Sequence, residues 1–140
     1  MGRRRAREIA LQVLFQVDLV NAEPYRAINY LLAENPVPDD VAVFVRSLVK
    51  GTLENLSEID DYIMRYAVEW DLDRMANVDR NILRLGLYEM MYEQGTPINV
   101  AINEALELSK TFSHEEALRF INGILGRIAR EAIAGPGAID

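Results

Sequence analysis

The sequence predicts an all-α fold: a single domain of about seven helices across residues 1–140. Three observations carry that expectation. Apolar residues recur at three- and four-residue steps through most of the chain, the spacing of one face of a helix. No segment alternates apolar and polar residues with the period of two that a half-buried strand needs. Proline, glycine and short polar residues fall between the periodic stretches, where helices start and stop.

The first helix is expected from Arg3 to Val20, with Ala6, Ile9, Ala10, Val13 and Val17 as its apolar stripe. Pro24 suits the first turn of a second helix, which carries Ile28, Leu31 and Leu32 until Pro36 and Pro38 break it. Asp39 or Asp40 is the expected cap of a third, with Val41, Phe44, Val45, Leu48, Val49, Leu53 and Leu56 at helical spacing. Ser57 with Asp60 has the form of a capping box ahead of Ile59, Tyr62, Ile63, Tyr66, Ala67 and Trp70. Asn77 is the expected cap of a fifth helix through Ile82, Leu83, Leu85, Leu87, Tyr88 and Met91. That helix is apolar on most sides, which places it at the centre. Gly95 and Pro97 end it, and a sixth runs from Ile98 to Thr111. Ser113 and Glu116 form another expected capping box, opening a seventh helix that ends near Pro136.

Composition narrows the function. A chain of 140 residues buries one real core and is short for two. Half of it is apolar, so it folds rather than staying disordered. It has no cysteine, which excludes a disulfide framework, a cysteine metal site and a thiol nucleophile. No apolar run approaches the ~20 residues of a membrane span. The leading arginines lack the uninterrupted apolar region of a signal peptide, and Ala6 stands where a myristoylation motif wants Ser or Thr. Glu8, inside an unbroken helical pattern, argues against an Arg-rich transit peptide. The expected setting is the cytoplasm, away from membranes, with residues 1–3 and 134–140 as flexible ends.

Little in the sequence suits catalysis. The single histidine, His114, makes neither a triad nor a metal cluster. The pairs Asp60–Asp61 and Glu115–Glu116 are sequence neighbours and point about 100° apart on a helix, as solvated faces and helix-start charges do. No Walker-type phosphate loop is present. Gly123 and Gly126 have the spacing of a KH-domain GXXG loop, but they lie in a helical pattern without strands nearby, where close helix packing is the expected use. No enzyme activity, cofactor or metal is expected.

Binding surfaces are better supported. The expected apolar stripe of the seventh helix runs through Leu118, Ile121, Leu125, Ile128, Ala129 and Ala132. Phe120 projects roughly 130° from its centre, beside Glu116, Gly123 and Arg127, with Arg119 flanking it. An aromatic on a polar face next to arginines suits stacking on an unpaired RNA base; burial by a neighbouring helix is the bland reading. On the first helix Leu11 and Phe15 project opposite the main stripe, which fits either a second interface or a helix buried on both faces.

Charge divides the chain. "MGRRRAREIALQVLFQ" holds Arg3, Arg4, Arg5 and Arg7, while the whole carries fifteen Lys and Arg against twenty-two Asp and Glu, a net of −7. Without those four arginines the remainder carries eleven against twenty-two, or −11. The cluster reads as a phosphate-binding patch, a membrane-surface patch without an adjoining insertable face, or a solvated frayed end. The surrounding acid repels nucleic acid and attracts a basic protein.

Four stretches in order, "RRRAREIALQVLFQ", "VDRNILRLGLYEM", "PINVAINEALELSKTF" and "RFINGILGRIAR", resemble the bacterial NusB transcription antitermination family over essentially the whole chain. The resemblance implies two small helical bundles packed together and a non-enzymatic protein. It implies binding to single-stranded boxA-type RNA of ribosomal operons together with the basic ribosomal protein NusE, and entry into the RNA polymerase elongation complex. By the same match, Arg3, Arg4, Arg5 and Arg7 contact RNA phosphate and Phe120 is the RNA-contacting aromatic. Arg119 flanks that aromatic, and Glu116 sits at an acidic position that modulates RNA binding. Asp79 corresponds to an acidic position at the NusE interface, with Arg80, Asp73 and Glu69 as neighbours and Phe15 near the composite surface. Asp79 is a shortened acid where the family has glutamate, and Gly126 replaces a family Asp. Some members form homodimers that cover the RNA surface, which would suit Phe15 and Leu11. The contrasting reading is a homo-oligomeric helical scaffold without RNA. The same domain also occurs fused to an RNA cytosine methyltransferase, but no cofactor-binding βαβ region fits in this chain.

Overall fold

A computed structural model describes residues 2–67 and 71–133. Seven α-helices account for most of them: α1 Gly2–Val20, α2 Pro24–Glu34, α3 Asp39–Glu54, α4 Leu56–Tyr66, α5 Asn77–Met91, α6 Ile98–Phe112 and α7 Glu115–Ile128. A 3-10 turn, Leu72–Arg74, precedes α5, and a π turn, Ala129–Ile133, follows α7. The all-α expectation is borne out. Arg3, expected at a flexible end, already lies inside α1; residues 1 and 134–140 are outside the described residues.

The helices form two groups. α1, α2 and α3 pack on one another; α5 packs with α4, α6 and α7. α5 also touches α1 and α3, so it joins the groups. Its burial runs unbroken from Ile82 to Met90, as expected of a helix apolar on most sides. Ile9, Leu48, Leu83, Ile121 and Leu125 are fully buried in the shared core, each contributing roughly 1.5–3 kcal/mol by leaving water.

Close approach around α5 depends on small residues. A Cβ at Gly86 would stand 3.0 Å from Leu125 Cδ1 and 3.1 Å from the Ala105 Cβ, so α6 and α7 reach α5 only over a glycine. The ring of Tyr88 occupies the space a Cβ on Gly51 would need. The expectation that Gly123 and Gly126 serve this purpose is overturned. Nothing lies within 4 Å of a Cβ at Gly123, and at Gly126 the neighbour is Arg130 Nη1 at 3.3 Å.

The helix starts also differ from the local expectation, and two of the capping side chains, Asp60 and Ser113, are used in tertiary bonds instead. Glu23 does cap α2, accepting from the Arg26 N–H at 2.8 Å, with Pro24 at the first position. Asp39 and Asp40, however, lie inside the first turn of α3, where they favour the helix dipole rather than cap it. Asp60 leaves Ser57 unassisted and pairs with Arg84 on α5 through contacts of 2.8 and 2.9 Å. Asn77 is within α5 and accepts from Asn81 at 2.9 Å. α1 ends at Asn21, whose φ of 56° is a left-handed conformation that Asn tolerates better than most residues.

Of the two readings of Leu11, burial of α1 on both faces holds: it is 2 % exposed, because α1 is enclosed by α2, α3, α5 and α6. Phe15, just over one turn further along the same side, is half-buried. Among the described residues no helix is long and apolar enough to cross a membrane.

Candidate nucleic-acid and partner interface

The leading arginines separate by helical phase. Arg3 lies over the Phe44 ring at 4.1 Å, a cation–π contact that steadies it against α3. Arg4 donates from Nε and Nη2 to the two carboxylate oxygens of Glu104 at 3.1 and 2.8 Å. A guanidinium has five N–H donors, so this fork leaves the outer ones for a ligand; the Arg4 side chain is 55 % exposed. Arg5 donates to Glu8 at 3.0 Å and to the Asn35 Oδ1.

Arg7 is placed differently. Its side chain is 5 % exposed and donates from Nε and Nη2 to Glu89, itself 2 % exposed, at 2.8–3.1 Å. Glu104 lies 3.4 Å from its remaining nitrogen. Arg7 was expected to contact phosphate. Its guanidinium is instead committed to an internal pair, because position 7 shares the buried side of α1 with Ala10, Leu11 and Leu14. Arg3, Arg4, Arg7 and Glu104 surround a surface hollow of about 460 Å³. The hydrogen bond and charge of Arg4 hold the Glu104 carboxyl below its ordinary range, and the same bond raises Arg4.

A second site forms where α5 and α7 begin. Glu116 and Arg119 are exposed on the outer side of α7. Phe120 is half-buried, with part of its ring against the core. Glu116 and Phe120 line a cleft of about 180 Å³ together with Asp79, Arg74, His114 and Ala117. Asp79, in the first turn of α5, is 8 % exposed, and the Ser113 hydroxyl donates to its Oδ1 at 2.6 Å. That bond explains why Ser113 does not complete a capping box on α7.

The other expected partner residues scatter around this cleft. Asp73 is exposed in the 3-10 turn. Arg80 is occupied: it donates to Asp18 at 2.8 Å and to the Leu72 carbonyl at 3.0 Å. Asp18 and Phe15 are three residues apart on α1 and share a face, which brings Phe15 beside the Asp18–Arg80 link. Burial works against the charge of Asp18, but bonds from Arg80 and Asn81 and the positive charge of Arg84 hold its carboxyl below the usual range. Glu69 lies outside the described residues. The structure thus unites Asp79, Glu116 and Phe120 in one cleft and sets Arg3, Arg4 and Arg5 apart at the start of α1.

Sequence reasoning missed Glu89, Glu104, Ser113 and Phe44. A signal existed for two of them: Glu89 is the lone acid of "LGLYEMM" and Glu104 that of "VAINEAL", where a buried carboxylate demands a cationic partner.

Comparison with known proteins places this architecture. The model of the NusB family matches residues 4–130, nearly the whole chain. This chain belongs to the NusB family. A transcription antitermination protein NusB of Desulforamulus reducens is 54 % identical over 128 residues, covering 91 % of this chain and 90 % of the relative. The Bacillus subtilis protein of that name is 46 % identical, covering 91 % and 95 %. The solved NusB of T. maritima superimposes with a TM-score of 0.85 at 40 % identity, over 92 % of this chain and 91 % of that one. A crystal structure of the antitermination factors NusB and NusE in complex with dsRNA matches with a TM-score of 0.84 at 28 % identity, over 91 % and 95 %. The NusB fold here therefore carries its exposed arginines and its Asp79–Phe120 cleft on a scaffold shared across the family.

Proposed function

We propose that this protein is a non-enzymatic transcription antitermination factor of the cytoplasm. In this reading it binds single-stranded boxA-type RNA of ribosomal operons jointly with NusE and enters the RNA polymerase elongation complex. The observation that carries the reading is the shared cleft: Phe120 and Glu116, expected to meet RNA, and Asp79, expected to meet the basic partner, line the same hollow. One ligand seated there adjoins the other, which is a direct route to cooperative binding. Arg3, Arg4, Arg5 and Arg119 supply accessible cations for phosphate, and Phe120 supplies a ring for an unstacked base. The family relative solved with NusE and dsRNA supports the pairing of partners.

Fluorescence anisotropy of a short labelled boxA-type RNA, with and without NusE, tests this. Weak binding alone that tightens with NusE, and weakens in Arg5→Ala and Phe120→Ala, is the expected result. Absence of binding in both conditions, with light scattering showing a stable homo-oligomer, would replace it with the scaffold reading.

A further inference from the structure

We infer that the groove between α2 and the second half of α3 docks an acidic helical segment of a protein partner through an apolar anchor. The groove measures about 310 Å³, with an apolar floor of Ile28, Val49 and Leu53 beside Pro24 and Tyr25. That volume is at the lower end of ligand-sized pockets, enough for one or two bulky side chains. Tyr25 is 70 % exposed at this groove, a large amphipathic ring of the type that anchors interfaces.

Charge selects the occupant. Arg46, Lys50 and Glu54 line the α3 wall at four-residue intervals, one turn apart on the same side of the helix. Arg46 and Lys50 are exposed, and neither has an acidic partner among the described residues. Arg4, Arg7, Arg80 and Arg84, by contrast, are each bonded to a carboxylate. Two uncompensated cations above an apolar trough, on a chain of net charge −7, complement a segment with carboxylates beside its apolar anchor. They repel a basic protein. The concave apolar floor and the Glu54 carboxylate equally disfavour an RNA strand. The order of the wall, two cations then an acid, orients the segment with its acidic end against Arg46 and Lys50.

The surface extends beyond one pocket. Leu53 also lines a second hollow of about 290 Å³, with Leu14, Val17 and Leu56 on its apolar side and Asp18, Asn21, Asn81 and Arg84 on its polar side. Leu53, Leu56, Val17 and Leu14 thus carry an amphipathic surface across the end of α3, where an amphipathic helix can set a second apolar anchor with polar groups beside it. It shares no lining residue with the hollows at Phe120 or Arg4, so this docking does not rest on RNA binding.

A helix-displaying phage library selected on the intact protein, and counter-selected on a Tyr25→Ser/Arg46→Glu/Lys50→Glu variant, tests the inference. All three positions are exposed, and circular dichroism checks that the variant keeps its fold. The expected outcome is enrichment of peptides with Leu or Phe anchors and Asp or Glu within a turn. The leading peptide, labelled and measured by anisotropy, should bind the variant at least about tenfold more weakly, with boxA-type RNA affinity unchanged at a salt concentration that screens the added negative charge. Enrichment of basic peptides, no enrichment, equal binding to the variant, or loss of RNA affinity in the variant would each overturn it.

Discussion

Arg7 and Glu89 are 82 residues apart in sequence and are joined inside the core by three hydrogen bonds of 2.8–3.1 Å. The pair ties α1 to α5, and Glu104 on α6 completes its surroundings. Removing one partner leaves a buried charge uncompensated, which costs about 3–5 kcal/mol. Arg7→Ala and Glu89→Ala should each lower the thermal midpoint by roughly 10 °C. The double replacement Arg7→Met/Glu89→Leu should recover much of that loss. Calorimetry of these proteins together with Arg7→Ala/Glu89→Ala closes a double-mutant cycle; additive losses would show that the two residues act independently.

The burial of Arg7 changes the expected salt dependence. Four terminal phosphate contacts would give a slope of log affinity against log salt of about −3, whereas Arg3, Arg4 and Arg5 alone give about −2 on single-stranded RNA. Replacing those three by alanine should reduce the magnitude of the measured slope by about 2. A further loss of about 0.7 in the slope of an Arg7→Met/Glu89→Leu variant that stays folded would place Arg7 at the phosphate after all.

At the second site, Phe120→Ala should lose about 1–3 kcal/mol of RNA binding, between roughly fivefold and 150-fold. Because part of that ring packs on the core, Phe120→Leu serves as the control: it keeps most of the packing and loses the stacking face. Glu116→Gln should act in the opposite direction, raising affinity by up to about fivefold at low salt, since it removes an exposed negative charge beside the ring. Titrations of the three variants against one RNA distinguish stacking from simple charge effects.

Acid should unfold this protein partly through Asp18 and Glu104. Both carboxyls are held below their ordinary values of 3.8 and 4.5 in the folded state, by Arg80 and Asn81 in one case and by Arg4 in the other. The unfolded chain therefore binds more protons in that range, so the stabilisation is complete above those values and is lost as pH falls through and below them. Denaturation midpoints measured from neutral pH downward should fall, and Glu104→Gln should flatten its share of the decline. A midpoint that held level below pH 4 would contradict the assignment.

Two glycines should respond oppositely to alanine. At Gly86 the added carbon meets Leu125 and Ala105 near 3 Å, so Gly86→Ala should destabilise by about 1–3 kcal/mol. At Gly123 nothing is within 4 Å, and Gly123→Ala should stabilise the helix by roughly 0.5–1 kcal/mol. Urea melts of both variants give the sign directly.

The helices were legible in the sequence because apolar spacing reports a face that some neighbour must cover. The caps were not, for a physical reason. Ser113, Asp60 and Asn77 have the right chemistry for a helix start, but Asp79, Arg84 and Asn81 compete for them, and only the fold brings Asp79 to Ser113 and Arg84 to Asp60. The arginine cluster shows the same limit: adjacent letters hide the rotation between positions 5 and 7, which turns one guanidinium toward solvent and the next into the core. Helical phase puts Phe120 on the polar face of α7, yet it is half-buried; its place beside Asp79 depends on how α5 and α7 meet, which no local pattern encodes.

α1 carries Arg3, Arg4 and Arg5 on the same helix whose Ile9, Ala10 and Val13 are fully buried. The patch is therefore part of a folded element and not a tail that orders on contact. Its conformational entropy is lost during folding, before any ligand arrives. Encounter with RNA then needs no folding step, so the association rate should be governed by diffusion and electrostatic steering. It should fall with ionic strength while remaining insensitive to mild denaturant until the whole core gives way.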